Sequence, residues 1–148
     1  MIRTPAMTAE SVHILRKSFQ RIEAHGHVAA LAFYRRLFEL DPSLRPMFRT
    51  DIETQAAKLI DMLSAALAML EKPAQLRATL EDLGARHVGY GVKPEHYATV
   101  RAALIDMLSI VLGPEFTPSL RAAWTDLLLA ISETMLAGAA RQAAIAHP

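Results

Sequence analysis

Apolar residues recur every three or four positions along almost the whole chain, which is the repeat expected for one face of an α-helix. No run of alternating β-branched residues between hairpin turns interrupts this pattern. The pattern therefore predicts an all-α fold with roughly seven helices and short corners, packed as in an orthogonal bundle.

Capping and breaking residues predict the ends of the first helices. The first helix is predicted to begin after the N-cap residue Thr8 and to stop near His25–Gly26. The second is predicted to end at Leu40, because Asp41–Pro42 then caps a short helical turn that ends at Phe48. These signals place an aromatic-rich helix directly before a tight corner.

The second half of the chain carries similar boundary signals. The stretch Thr50–Glu53 has the form of a capping box, which predicts a long helix up to about Leu70 with Thr50 as its N-cap. Glycine and proline separate the helices that follow. These are predicted over 76–87, 94–112 and 118–138, and the alanine-rich tail 139–148 is expected to fray.

Composition narrows the class of protein. The chain has 148 residues, 52% of them hydrophobic and 21% charged, with a formal net charge of +1 and no cysteine. We expect one domain over 1–148, and neither a nucleic-acid-binding footprint nor a disulfide framework. No stretch resembles a signal peptide, and Asp61 and Asp106 interrupt the most apolar segments. The sequence therefore predicts a soluble cytoplasmic protein without a membrane partner.

His87 is the most informative single residue, because it continues the apolar stripe of Leu76, Leu80 and Leu83 at helical spacing. A buried imidazole needs a partner. Cysteine is missing and no second histidine stands at ligand spacing, so a zinc cluster is not indicated. A cofactor and an ordinary hydrogen bond within the core both remain open at this point.

Several aromatic and polar residues follow one another in a specific order. The stretch 32–38, with sequence AFYRRLF, is followed by Asp41–Pro42 and by RPMF at 45–48. This order resembles the bacterial single-domain haemoglobins and the haem domain of flavohaemoglobins. The separations from Tyr34 to Phe48 and from Gln55 to His87 also match, and Trp124 falls in the last helix as in that group. Covering nearly the whole chain, the resemblance implies a globin fold around haem b.

The resemblance also implies roles for individual residues. His87 would be the proximal ligand of the haem iron, and no residue is assigned a catalytic role. Tyr34 and Gln55 would donate hydrogen bonds to a diatomic ligand on the distal side, Leu59 would narrow that side, and Phe48 would pack against the porphyrin. Taken singly, these distal and porphyrin-facing residues are more readily explained as core or solvated helix positions, and only their joint order favours the functional interpretation. Further haem contacts would come from Lys58, Leu63, Leu83, Arg86, Val88, Tyr90, Val92, Tyr97 and Val100, with solvation as the alternative for Lys58 and Arg86.

One departure from the flavohaemoglobins affects the expected function. In that group a glutamate and a tyrosine together polarise the axial histidine. This chain retains the tyrosine as Tyr97 but has Ala139 at the position of the glutamate. The axial histidine is therefore expected to donate electron density to the iron more weakly than in that group. The sequence also contains no Gly-rich motif for a flavin or nicotinamide.

These features favour reversible binding of dioxygen and other diatomic ligands, for oxygen transport or scavenging. One alternative is nitric oxide dioxygenase activity with a separate reductase, and another is a haem-based gas or redox sensor. Either a monomer or a homodimer is compatible with the sequence.

Overall fold

A computed structural model describes residues 8–48 and 51–146 of the chain. Every regular element in these ranges is helical, which confirms the all-α prediction. The α-helices are α1 (Ala9–Ala24), α2 (Gly26–Leu40), α3 (Ile52–Ala68), α4 (Pro73–Gly89), α5 (Pro94–Leu112) and α6 (Pro118–Ala146), with 3-10 turns at Pro42–Met47 and Gly113–Glu115.

Helix starts follow the polar residues of the sequence, with one difference of register. The Thr8 side chain accepts a hydrogen bond from the Ser11 amide at 3.0 Å, as predicted for an N-cap. At α3 the N-cap is Asp51, whose carboxylate accepts from the Thr54 amide at 2.8 Å. The prediction of Thr50 as N-cap was therefore wrong by one residue, because the adjacent carboxylate takes that role; Thr50 itself lies outside the described residues.

The C-terminal segment differs from its prediction. Residues up to Ala146 continue α6 instead of fraying after Gly138. Alanine has the highest intrinsic helix propensity, so the composition of this tail supports helix extension once α6 is anchored on the core.

The core is one continuous apolar cluster to which all six α-helices contribute. Its largest fully buried side chains include Trp124, whose indole Nε1 donates to the buried Ser18 hydroxyl at 2.9 Å and so links α6 to α1. Helix α2 packs against α5 and α3, and α4 packs against α6.

By length and composition alone, the segment Pro94–Glu115 could span a membrane, contrary to the expectation that Asp106 interrupts it. In the fold this segment is mostly α5, which buries Tyr97, Leu104 and Met107 against neighbouring helices. The Asp106 carboxylate accepts a hydrogen bond from the Arg36 guanidinium of α2 at 2.7 Å. The segment is therefore a packed element of the bundle, with 33% of its most apolar 18-residue window buried.

Candidate functional site

His87 lies in the last turn of α4, with its side chain half-buried. Its Nδ1 atom is 2.7 Å from the carbonyl oxygen of Leu83, one helical turn earlier. A carbonyl oxygen can only accept, so Nδ1 carries the proton and Nε2 keeps a free lone pair. Burial lowers the pKa of His87, although the bond to Leu83 acts in the opposite direction. The imidazole is therefore held in the neutral tautomer that coordinates a metal through Nε2.

Three of the predicted cofactor contacts, Tyr90, Arg86 and Lys58, are exposed. The Tyr90 ring meets the imidazole edge-on at a centroid distance of 5.5 Å, but Tyr90 is 65% exposed. Arg86 forms an exposed ion pair with Asp82 at 2.9 Å, and Lys58 is exposed. Arg86 and Lys58 are thus placed at the surface, as required for contacts with propionates and equally for plain solvation.

Tyr34 is buried at the centre of a group of rings that we call the aromatic cluster: Phe33, Tyr34, Phe38 and Phe48. The centroid of the Tyr34 ring is 4.8 Å from that of Phe33, 6.0 Å from that of Phe38 and 5.3 Å from that of Phe48. Burial raises the pKa of Tyr34 to about 12. The phenol therefore stays protonated and keeps its O–H donor throughout the physiological pH range.

The distal residues predicted on α3 share one face of that helix. Gln55, Leu59 and Leu63 follow one another at intervals of four, and their side chains become more buried along the helix, from half-buried Gln55 to buried Leu63. Because α2 packs against α3, the fold brings the helix of Tyr34 beside the helix of Gln55. The aromatic cluster then joins Tyr34 to Phe48 at the corner between the two helices.

Tyr97 is buried on α5, and its hydroxyl has no hydrogen-bond partner among the described residues. Such orphaned buried groups are uncommon in native proteins. Burial raises the pKa of Tyr97, so its proton stays in place. Ala139, which replaces the glutamate expected by resemblance, offers no side-chain acceptor. The remaining predicted wall residues are partly buried: Leu83, Val88, Val92 and Val100.

A separate groove of about 430 Å³ runs between α2 and α3. Its lining includes Gly26, Leu31, Ile52 and Ile60, and no residue predicted for the haem site lines it. The groove is therefore distinct from the region around Tyr34 and His87.

Sequence reasoning missed two features near His87. The acceptor of its Nδ1 proton is a backbone carbonyl, and only the helical spacing of Leu83 could have suggested it. Gly84 of α4 lies directly against the backbone of Met135 in α6, and Gly138 of α6 lies directly against the backbone of Glu81 in α4. A glycine inside a helical pattern is a weak signal for such a contact, since it does not name the partner.

Comparison with known proteins places this geometry in a family. A family model described as Globin matches residues 31–135. The flavohemoprotein of Xylella fastidiosa is 28% identical over 124 residues, covering 82% of this chain and 31% of its own length. The flavohemoprotein of Bacillus subtilis is 27% identical over 144 residues, covering 90% of this chain and 36% of its own length. This chain thus spans about a third of the length of these relatives.

Solved structures give the same fold. An engineered carbene transferase, from a Rhodothermus marinus protein described as a candidate nitric oxide dioxygenase, superposes with a TM-score of 0.84 at 26% identity. The superposition covers 97% of this chain and 100% of that one. A hexacoordinated heme protein from an anhydrobiotic tardigrade superposes with a TM-score of 0.81 at 19% identity, covering 93% and 97%. From its sequence match and its helical architecture, the chain belongs to the globin family.

Proposed function

We propose that this globin is a haem protein that reversibly binds dioxygen and other diatomic ligands, with His87 as the axial ligand of the iron. The observation that carries the proposal is the 2.7 Å bond between His87 Nδ1 and the Leu83 carbonyl, because it leaves a neutral Nε2 free to coordinate. Haem, when held by His87, would supply a ferrous iron that can bind a diatomic ligand.

The residues around His87 fit such a group. Leu83, Val92 and Val100 are partly buried and would offer apolar surface to a large flat hydrophobic cofactor, whereas Leu63 is buried in the core. The buried Tyr97 hydroxyl, without a partner among the described residues, has unused capacity for a hydrogen bond. We propose haem b in particular, since the sequence has no cysteine for thioether attachment.

The distal side is suited to holding a polar diatomic ligand. Tyr34 keeps its proton because burial raises its pKa to about 12, so its hydroxyl can donate to a ligand that gains negative charge. We assign Gln55 as a second donor and Leu59 as the residue that narrows access. The rings of Phe38 and Phe48 pack against the ring of Tyr34. This combination favours slow ligand release.

Reversible binding is preferred over catalysis because of the proximal side. The acceptor for His87 Nδ1 is an uncharged carbonyl rather than a carboxylate, and Ala139 supplies no acid to Tyr97. The imidazole is thus a moderate electron donor, which suits oxygen transport or scavenging.

The second candidate function is nitric oxide dioxygenase activity with a separate reductase as electron donor. The similarity to the flavohemoproteins and to the Rhodothermus marinus protein favours it. The same haem chemistry would also serve a gas or redox sensor. We further propose one globin domain over 1–148, a cytoplasmic location, and a monomer or homodimer.

An optical experiment tests the proposal. The purified protein, reconstituted with haem and reduced with dithionite, is exposed to air and then mixed rapidly with nitric oxide. A lasting oxygenated spectrum with slow oxygen release supports reversible binding. Prompt oxidation of the iron with formation of nitrate, sustained by an added reductase, would favour the enzyme. The absence of haem bands after reconstitution would overturn both.

A further inference from the structure

Helices α4 and α6 touch through their backbones at Gly84 and Gly138, and we propose that this contact positions His87 for iron coordination. In this role the two glycines are positioning residues, which act through the histidine without touching the cofactor. The inference rests on the proposed function, because it concerns the ligand that His87 supplies.

The contact at Gly84 leaves no room for a side chain. A Cβ atom on Gly84 would overlap the carbonyl oxygen of Met135 and lie 2.7 Å from the Met135 Cα atom. Because those obstructing atoms are backbone, no rotamer change can relieve the overlap. Any side chain at position 84 must therefore move one helix away from the other.

The contact is reciprocal. A Cβ atom on Gly138 would overlap the carbonyl oxygen of Glu81 and lie 2.7 Å from the Glu81 Cα atom. As the chain runs from 81 to 84 in α4, its partner runs from 138 to 135 in α6, so the helices are antiparallel here. The Glu81 carboxylate also pairs with Arg141 at 3.0 Å, one turn beyond Gly138. Two backbone contacts and one ion pair thus fix α4 on α6.

The same backbone unit holds the imidazole. The carbonyl that accepts from His87 belongs to Leu83, and its peptide bond joins Leu83 to Gly84. A peptide group is planar and moves as one body. Displacing Gly84 from α6 therefore displaces the acceptor oxygen and, with it, the ring of His87.

Glycine is otherwise a poor choice at these positions. In a helix interior it lowers helix stability relative to alanine. Gly89, in the same helix, has open space around an added Cβ, so close packing does not explain every glycine of α4. At Gly84 and Gly138, by contrast, close approach gives a specific reason for the missing side chain.

The test is resonance Raman spectroscopy of the reduced, haem-loaded protein, which measures the iron–histidine stretching band. We expect Gly84→Ala and Gly138→Ala to shift this band, because the ring changes its orientation or its distance from the iron. Gly89→Ala is the matched control: it makes the same change in the same helix, two residues from His87, with nothing within 4 Å of the new Cβ. An unmoved band in both test variants would overturn the inference.

A second arm separates positioning through His87 from a general distortion of the site. In a His87→Gly background, free imidazole is supplied as the iron ligand, and Gly84→Ala is added. Free imidazole is not attached to α4. The iron–imidazole band should therefore have the same frequency in the His87→Gly protein with and without Gly84→Ala. An equal shift with the untethered ligand would contradict a route through His87.

If neither test variant folds, Glu81→Gln loosens the same crossing without placing an atom between the helices. A shifted or broadened band would support the inference, and an unchanged band would overturn it. Failure of the proposed function has a different signature: the unmodified protein would then bind no haem or show no iron–histidine band at all. An iron–histidine band that is present but unchanged in the variants would overturn only the inference about the contact between α4 and α6.

Discussion

The proximal half of the candidate site is held by backbone contacts, whereas the distal half is held by side-chain contacts. On the proximal side, backbone atoms do the positioning: a carbonyl holds the imidazole of His87, and Gly84 brings α4 into contact with α6. On the distal side, side chains do it: three phenylalanine rings surround Tyr34. The backbone contacts leave no room for an added atom, whereas an aromatic side chain can be replaced by another of similar size and shape. Substitutions should therefore act steeply on the proximal side and gradually on the distal side.

The largest effect is expected from His87→Ala. Removing the only proposed axial ligand should abolish stable haem retention, because no other donor has been assigned to the iron. Haem content after gel filtration, measured from the Soret absorption, checks this outcome. His13→Ala, at an exposed position of α1, is the control. Unchanged haem occupancy and spectrum would remove His87 from the axial role.

The next effect concerns the free energy of unfolding at alkaline pH, which should depend on Tyr34 of the distal side. Burial raises the pKa of Tyr34 from 10.0 to about 12 in the folded protein. The stability tied to the neutral phenol is therefore complete below the unfolded pKa and is lost as the pH rises through the folded one. Two pKa units correspond to about 3 kcal/mol.

Denaturant unfolding on both sides of that pH window measures this loss. Tyr34→Phe cannot ionise, so its free energy of unfolding should fall less than that of the unmodified protein. Parallel losses in the two proteins would show that Tyr34 does not cause the alkaline transition.

Ligand release should separate the two halves further. Tyr34→Phe is expected to speed dioxygen dissociation roughly tenfold, if a hydrogen bond of about 1.4 kcal/mol to the ligand is lost. Stopped-flow measurement of the dissociation rate checks this. Tyr97→Phe removes a phenol from the proximal side, and its effect should be smaller. Equal rates for Tyr34→Phe and the unmodified protein would end the donor role of Tyr34.

The smallest effect is a gain in stability. The buried Tyr97 hydroxyl has no partner among the described residues, so Tyr97→Phe removes a desolvated polar atom without breaking a hydrogen bond of this chain. The free energy of unfolding of the haem-free protein should rise by about 1 kcal/mol. Tyr90→Phe, with an exposed ring, should leave it unchanged. A loss of stability in Tyr97→Phe would reveal a partner for the hydroxyl.

Helical periodicity and local capping signals were enough to predict the all-α class, and the family resemblance supplied the globin fold. Thr8, Asp41–Pro42 and the glycine turn before Pro94 act within a few residues, so their effect can be inferred from neighbouring sequence. The structure adds that Gly91 takes a φ of 83°, which explains why glycine ends this turn. The register of the α3 cap was missed because Thr50 and Asp51 are both good capping residues, and the sequence alone does not choose between them.

The site was predicted less completely. The order of Tyr34, Phe48, Gln55 and His87 suggested a haem pocket, and the structure places Tyr34 and Phe48 in contact. Their roles toward haem stay predictions. The meeting of Gly84 with Met135 depends on two segments far apart in sequence, and helix periodicity carries no information about which backbone will approach a glycine. Such contacts become visible only in three dimensions.

The Leu83 carbonyl has a consequence for how the protein responds to its surroundings. A carboxylate in the same place would gain a proton in acid and release its hold on the imidazole, but an amide carbonyl does not titrate. Nor can a point mutation delete a main-chain oxygen. The acceptor of the His87 Nδ1 proton therefore persists in acid, and a substitution can weaken this hydrogen bond only by moving the backbone of α4.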